Sequence, residues 1–273
     1  MDALKSAGSV TQGLAALAAL FMVGCATPPP ADDKEAQAEF AAVNDPLEPM
    51  NRAIFGFNEV VDRNVLKPVA EGYREVVPGF GRDRVHDFLG NLRAPLTAIH
   101  DVLQGDIENF GVTVARFGLN STFGVLGIMD VASEMGLRRK EEDGGQTFGV
   151  WGIPEGPYLV IPLLGPSNPR DAVGYVVDWV IDPFNIYTNG TNEHWAQYSR
   201  TGTSVVDQRE KLLDPLNEIQ KSSLDYYAAI RSLYRQRRDA LIRNSNKSDG
   251  APAPGMTGRA PGAEQAKDEQ AKE

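Results

Sequence analysis

The side chains best suited to covalent or acid–base chemistry are few in this chain and stand apart from one another. There is one cysteine, Cys25, and there are three histidines, His86, His100 and His194. His86 precedes Asp87, but sequence neighbours do not share a helix face, so the pair reads as a surface or packing feature. Gln146-Thr147 and Asp171 offer no spacing for a nucleophile and its base. There is no Gly-x-Ser-x-Gly elbow, no phosphate-binding loop and no dinucleotide fingerprint. Glu141, Glu142 and Asp143 follow Arg138, Arg139 and Lys140, a charge run expected of a solvated turn. Asn120-Ser121-Thr122 and Asn189-Gly190-Thr191 match a glycosylation sequon by coincidence of spacing. No catalytic constellation, metal set or cofactor motif emerges. The residues argue for binding or conduction rather than catalysis.

Cys25 carries the one covalent reading that its surroundings support. An apolar run from Leu14 to Gly24 precedes it and Ala26-Thr27-Pro28-Pro29-Pro30 follows. The run is about 11 residues, too short for a bilayer that needs about 20, and has the length of a signal-peptide core. Met22-Val23-Gly24-Cys25 is similar to the lipobox at which lipoprotein precursors are acylated and cut. Acylation leaves no thiol for an intrachain disulfide. Each buried CH₂ contributes about 0.8 kcal/mol, so three acyl chains amount to roughly 30 kcal/mol of anchoring. Ala26, rather than Asp, after the cysteine points to outer-membrane sorting.

Composition sets the frame around that anchor. Hydrophobic residues make up 42% and charged residues 23% of the 273, ordinary for a globular chain. The net charge is −10 and no basic stripe carries interleaved aromatics, which excludes nucleic acid as a natural partner. The organisation expected is a signal peptide over 1–24, a lipidated cysteine and flexible linker over 25–44, a helical domain over 45–243, and a disordered tail over 244–273.

Apolar spacing of three and four predicts the helices of that domain. Asp45-Pro46 has the composition of a helix start, and Leu47, Met50, Ile54, Phe57, Val61 and Val65 follow as a stripe. Pro68 interrupts it, and a shorter helix with Val69, Tyr73 and Val76 stops at Pro78-Gly79. Val85, Phe88, Leu89 and Leu92 mark another helix. Pro95 is expected to open the next, which ends near Gly105, and Ile107, Phe110, Val114 and Phe117 form a further stripe. The stretch 144–169, rich in Gly and Pro, reads as irregular or extended chain wrapping a core. A helix follows Asp171, with a break at Asp182-Pro183. A long helical pattern from Ser204 to Arg243 is kinked or split at Asp214-Pro215. The balance is mostly α.

Residues 118–136 differ in character. Gly124-Val125-Leu126-Gly127-Ile128-Met129 is apolar and broken by glycines, too short to span a membrane. By composition alone a buried core loop is favoured over an apolar hairpin that meets lipid and hinges at its glycines.

An ordered set of motifs resembles the MlaA (VacJ) family of outer-membrane lipoproteins from Asp45 to about Pro183. Asp45-Pro46-Leu47-Glu48, Asn51-Arg52, Phe57-Asn58, Lys67-Pro68-Val69-Ala70, Asn91-Leu92, Leu103-Gln104-Gly105 and Arg116-Phe117 occur in family order. Asn120-Ser121-Thr122, Asp130-Val131-Ala132, Gly145-Gln146-Thr147-Phe148-Gly149-Val150-Trp151-Gly152 and Arg170-Asp171-Ala172 complete it. The resemblance implies an all-helical ring of short amphipathic helices lying in the inner leaflet and pierced by an amphipathic channel. It implies retrograde transport: phospholipid leaves the outer leaflet and passes to an MlaC-like periplasmic carrier, in association with a trimeric porin. It also reverses the reading of 118–136, making Gly124, Gly127, Ile128 and Met129 a hairpin beside the channel, and it brings Phe57 and Asn58 into a segment that holds the channel closed. The alternative is a porin-bound structural lipoprotein that moves no lipid.

Overall fold

The computed structural model describes residues 45–245 and the isolated positions Pro30, Asp33, Gln37 and Val43. Cys25, the signal segment, most of the expected linker and the tail after 245 lie outside the described residues. Helices dominate: α1 (Glu48–Val61), a π-helical turn (Asp62–Leu66), α2 (Lys67–Val76), α3 (Gly79–Gln104), α4 (Ile107–Thr122) and α5 (Val131–Glu134). After α6 (Gly144–Val150), the strands β1 (Leu159–Ile161) and β2 (Gly165–Ser167) pair antiparallel, with Val160 opposite Pro166. Then follow α7 (Pro169–Ile181), α8 (Pro183–Thr191), α9 (His194–Lys211), α10 (Leu213–Ser222) and α11 (Tyr226–Ser245). No helix among the described residues is long and apolar enough to cross a membrane.

Burial is inverted relative to an ordinary soluble domain. Among the described residues, seven hydrophobic side chains are fully buried against 22 polar or charged ones. The apolar core is a cluster of Tyr158, Val160 and Tyr227 with Phe55 at its edge. Around it run buried polar links. Asp45 accepts from Asn51 at 2.8 Å, from Arg231 at 2.7 Å and from the Tyr227 hydroxyl. Asn51 also bridges the Tyr158 carbonyl and the Val160 amide at 3.0 and 2.9 Å, seating β1 on α1. At a second junction Arg238 of α11 clasps Asp143 and reaches Asp171 at 2.8 Å. α6 and α7 meet so closely there that a Cβ on Gly174 would lie 2.2 Å from the Gly145 nitrogen.

Several sequence expectations are corrected. Asp45 does not cap a helix: α1 begins at Glu48, and the Asp45 carboxylate is buried in the links above. Pro68 does not interrupt the rod. The π turn adds a residue per turn, the Lys67 amide reaches back to the Asp62 carbonyl, and Pro68 enters α2 at a position where its missing donor is tolerated. Pro95 does not start a helix; it lies inside the 26-residue α3. The proline removes a single backbone bond, and packing of α3 along α4 outweighs that loss. The stretch 144–169 is more regular than expected, since it contains α6 and the β1–β2 pair. The long C-terminal pattern divides at Leu212 and again at residues 223–225, giving α9, α10 and α11. The run 141–143 is no solvated turn: Glu142 is 1% exposed and paired with Lys140 at 3.0 Å, and Asp143 caps α6.

Candidate lipid-facing site

Two features converge on the segment between α4 and α5: an apolar knob facing outward and a polar clamp beneath it. The chain leaves α4 and folds back at once. The Leu126 amide bonds Ser121 O at 3.1 Å, the Gly127 amide bonds Asn120 O at 2.8 Å, and the Met129 amide bonds Gly124 O at 2.9 Å. Val125, Leu126 and Gly127 take φ of 53°, 59° and 91° in succession. For a β-branched residue such as Val125 that region costs about 1–2 kcal/mol, so the surroundings must hold the turn in place.

The clamp that holds it is Asp130. Its carboxylate accepts from Arg116 at 2.7 Å, from Asn120 at 2.9 Å and from the Ser133 hydroxyl at 2.6 Å. Asn120 in turn receives the Ala132 amide at 2.9 Å. Burial by itself would raise the Asp130 pKa, but the Ser133, Arg116 and Asn120 bonds outweigh it and hold the group down to about 2. Asn91 of α3 braces the other side, donating to Ser121 Oγ at 3.0 Å and to the Leu126 carbonyl at 3.4 Å. A Cβ at Gly127 would lie 2.4 Å from Asn91 Cβ, and one at Gly124 would lie 2.2 Å from the Met129 carbonyl oxygen. Close approach therefore requires both glycines, and Gly127 also requires its positive φ.

The knob's side chains point away from the protein. Val125, Leu126, Ile128 and Met129 are all exposed, Leu126 at 70%. The buried core loop favoured by composition alone is thus overturned, because the loop's polar backbone, not its side chains, faces the protein. The same inversion runs along α7, where Val173, Val176, Trp179 and Val180 are exposed while Arg170, Asp171 and Gly174 are buried. All three tryptophans, Trp151, Trp179 and Trp195, are more than half exposed. Exposed apolar side chains grouped in this way on single elements mark a lipid or partner contact, and aromatic residues favour the membrane interface.

The family model for the MlaA lipoprotein matches residues 43–241. This chain belongs to the MlaA family. An uncharacterized protein of Rickettsia bellii is 36% identical over 202 residues, which cover 74% of this chain and 78% of that protein. The intermembrane phospholipid transport system lipoprotein MlaA of Haemophilus influenzae is 33% identical over 226 residues, 81% of this chain and 86% of the relative. A solved structure described as the structural basis for maintenance of bacterial outer membrane lipid asymmetry superposes with a TM-score of 0.64. It is 32% identical, and the match covers 72% of this chain and 98% of that one.

The MlaA motifs quoted from the sequence divide by place in the fold. Gly124, Gly127, Ile128 and Met129 form the knob. Phe57 and Asn58 sit elsewhere, on α1 against the strand pair. Phe57 is 52% exposed, while Asn58 donates to the Ile161 carbonyl at 3.0 Å and accepts the Leu163 amide at 2.8 Å, pinning the β1–β2 turn. No hydrogen bond or ion pair joins the two groups among the described residues. Sequence reasoning attached no role to Asn91, Arg116, Asn120 and Asp130. A signal was present: Arg116 and Asn120 are polar residues beside the Val114 and Phe117 stripe, and the structure buries both. Two of the histidines have partners that sequence spacing did not indicate. His100 is packed between Thr147 and Asp178, at 2.9 Å from each, and His86 meets Asp207 at 2.9 Å across the fold rather than its neighbour Asp87.

Proposed function

We propose that this protein is an outer-membrane lipoprotein that removes mislocalised phospholipid from the outer leaflet and hands it to a periplasmic carrier. The observation that carries the reading is the inverted burial: apolar side chains cover the outside of the helices, none of which among the described residues is long and apolar enough to span, while the interior is held by charge pairs and amides. Such a body suits one leaflet, its apolar faces among acyl chains. The H. influenzae relative's assignment to an intermembrane phospholipid transport system supports the substrate. A diacyl lipid leaving a bilayer exposes about 30 CH₂ groups, roughly 20–25 kcal/mol, and its headgroup crosses hydrocarbon only at a further penalty. A conduit with apolar and polar walls lowers both barriers without covalent chemistry. In this reading Gly124, Gly127, Ile128 and Met129 form a hairpin beside the path, Phe57 and Asn58 lie on the segment that keeps the path closed, and Cys25 carries the acyl anchor. A trimeric porin and an MlaC-like carrier are the partners, and direction comes from them because a passive path has none.

Native mass spectrometry with lipid extraction on membrane-purified protein tests the reading. Stoichiometric phospholipid is the expected result. An acylated protein that carries none, from a strain whose outer-leaflet phospholipid is unchanged on gene deletion, would leave a porin-bound structural lipoprotein.

A further inference from the structure

Beside the knob, between α3 and α4, opens a small polar cleft lined from α3 by Gly90, Asn91 and Arg93 and from α4 by Arg116 and Phe117. Arg93, Arg116, Arg139 and Lys140 bring positive charge to its wall, facing the carboxylates of Asp87, Asp130 and Glu141. Three of them are engaged: Arg116 with Asp130 at 2.7 Å, Arg139 with Glu141 at 2.6 Å, and Lys140 with Glu142 at 3.0 Å. Among the described residues Arg93 has no carboxylate within ion-pair distance, although its charge is one of those that hold the Glu141 and Asp143 carboxyls below their usual range. It makes one long bond, 3.4 Å, to the Glu142 carbonyl, and its Nε is buried without an acceptor. Asn91, on the same wall, is 8% exposed. Its amide nitrogen is fixed by the Leu126 carbonyl, and its Oδ1 is buried without a donor. A guanidinium N–H without an acceptor and an amide oxygen without a donor are each costly when buried. Gly90 adds a shaped space. A Cβ there would fall 1.9 Å from Arg139 Nη2, so the guanidinium lies flat against α3 where only glycine leaves room.

We propose that this cleft seats a phospholipid headgroup of the phosphodiester–ammonium class, with the phosphate at Arg93 and Arg139 and the ammonium toward Asn91. The proposal rests on the lipid-conduit reading and places the headgroup within it. A lipid fits better than free phosphate on two grounds. Inorganic phosphate supplies no ammonium for Asn91. The cleft also borders apolar surface, Phe117 on its wall and Leu126 on the knob, both exposed, along which acyl chains can leave. Because Asn91 also braces the knob, a seated headgroup bears on the bond that holds the hairpin down.

The test is a ³¹P NMR titration of the full-length protein in a phosphate-free detergent, with sn-glycero-3-phosphoethanolamine and, separately, inorganic phosphate. The acyl-free headgroup binds wild type, at least fivefold tighter than phosphate does. Arg93→Gln raises its Kd tenfold or more with an unchanged unfolding midpoint, and Gly90→Ala, which displaces Arg139, weakens it as well. An Arg93→Gln Kd within twofold of wild type overturns the proposal, as does inorganic phosphate binding equally tightly. Headgroup binding by a wild type that carries no extracted phospholipid upholds the cleft and sinks the conduit. Extracted phospholipid with an indifferent Arg93→Gln does the reverse.

Discussion

Asp101, buried on α3, and Asp130, half-buried just before α5, show how much local bonding decides. Asp130 is surrounded by donors and held down to about pH 2 against its burial; Asp101, pushed up to about 6 mainly by burial, receives only the Thr113 hydroxyl, at 2.7 Å, and leaves Oδ1 without a partner. The two act on stability with opposite sign. Asp130 binds its proton less readily folded than unfolded, so its contribution is present above about pH 4 and is lost as pH falls toward 2. Asp101 binds its proton more readily when folded, so it opposes folding above about pH 6 and ceases to as pH falls toward 4. Asp130→Asn is expected to lower stability at pH 7 by about 2–4 kcal/mol, since it leaves Arg116 buried without a counter-charge. Asp101→Asn, which keeps an acceptor for Thr113, is expected to raise stability by about 1–3 kcal/mol at pH 8 and by little at pH 4. Thermal unfolding across pH in detergent measures both; an Asp101→Asn gain that did not shrink with falling pH would contradict the assignment.

At the scale of elements, α7 is the clearest case of a helix turned outward. Its polar side is fixed by Asn168, which caps it, by Arg170 paired with Asp171 at 2.9 Å, and by Asp178 bonded to the Gly144 amide and His100. Among the described residues nothing covers its apolar side, where Val173, Val176, Trp179 and Val180 are exposed. Val176→Glu with Val180→Glu is therefore expected to leave the unfolding midpoint within a few degrees in detergent, because neither side chain is buried. The same pair should impair insertion in the leaflet, where a charge costs about 2–3 kcal/mol at depth. Flotation with liposomes of the acyl-free Cys25→Ala form separates the two effects: loss of membrane binding with an intact fold is the expected result, and unaltered flotation would remove α7 from the lipid-facing surface.

For the whole molecule, attachment has two sources of different strength. In the proposed reading the apolar faces of α7, α8 and the knob give partition that depends on fold, whereas the acyl chains proposed on Cys25 give attachment that does not. Cys25→Ala is expected to abolish the acyl mass shift and to move the protein in part to the soluble periplasmic fraction, leaving residual membrane association from the folded body. Fractionation with intact-mass measurement reads both. Complete retention of an unacylated protein would assign attachment to the apolar faces alone.

Much of this was legible in the chain. The 3.6-residue apolar spacing placed the helices because a stripe must face something other than water, whether core or lipid. The ordered motifs placed the family. Spacing could not say which way each stripe faced, because core and acyl chains ask the same thing of a side chain; the tertiary structure decided it by filling the interior with Asp45, Asn51, Asp171 and Arg238. Nor could local rules show that Pro68 and Pro95 continue their helices, since the π turn at Asp62–Leu66 and the packing of α3 on α4 are what absorb a missing donor. The links at Asp130 and in the Arg93 cleft join residues that stand far apart in sequence or on different helices, and only the folded chain brings their charges within reach.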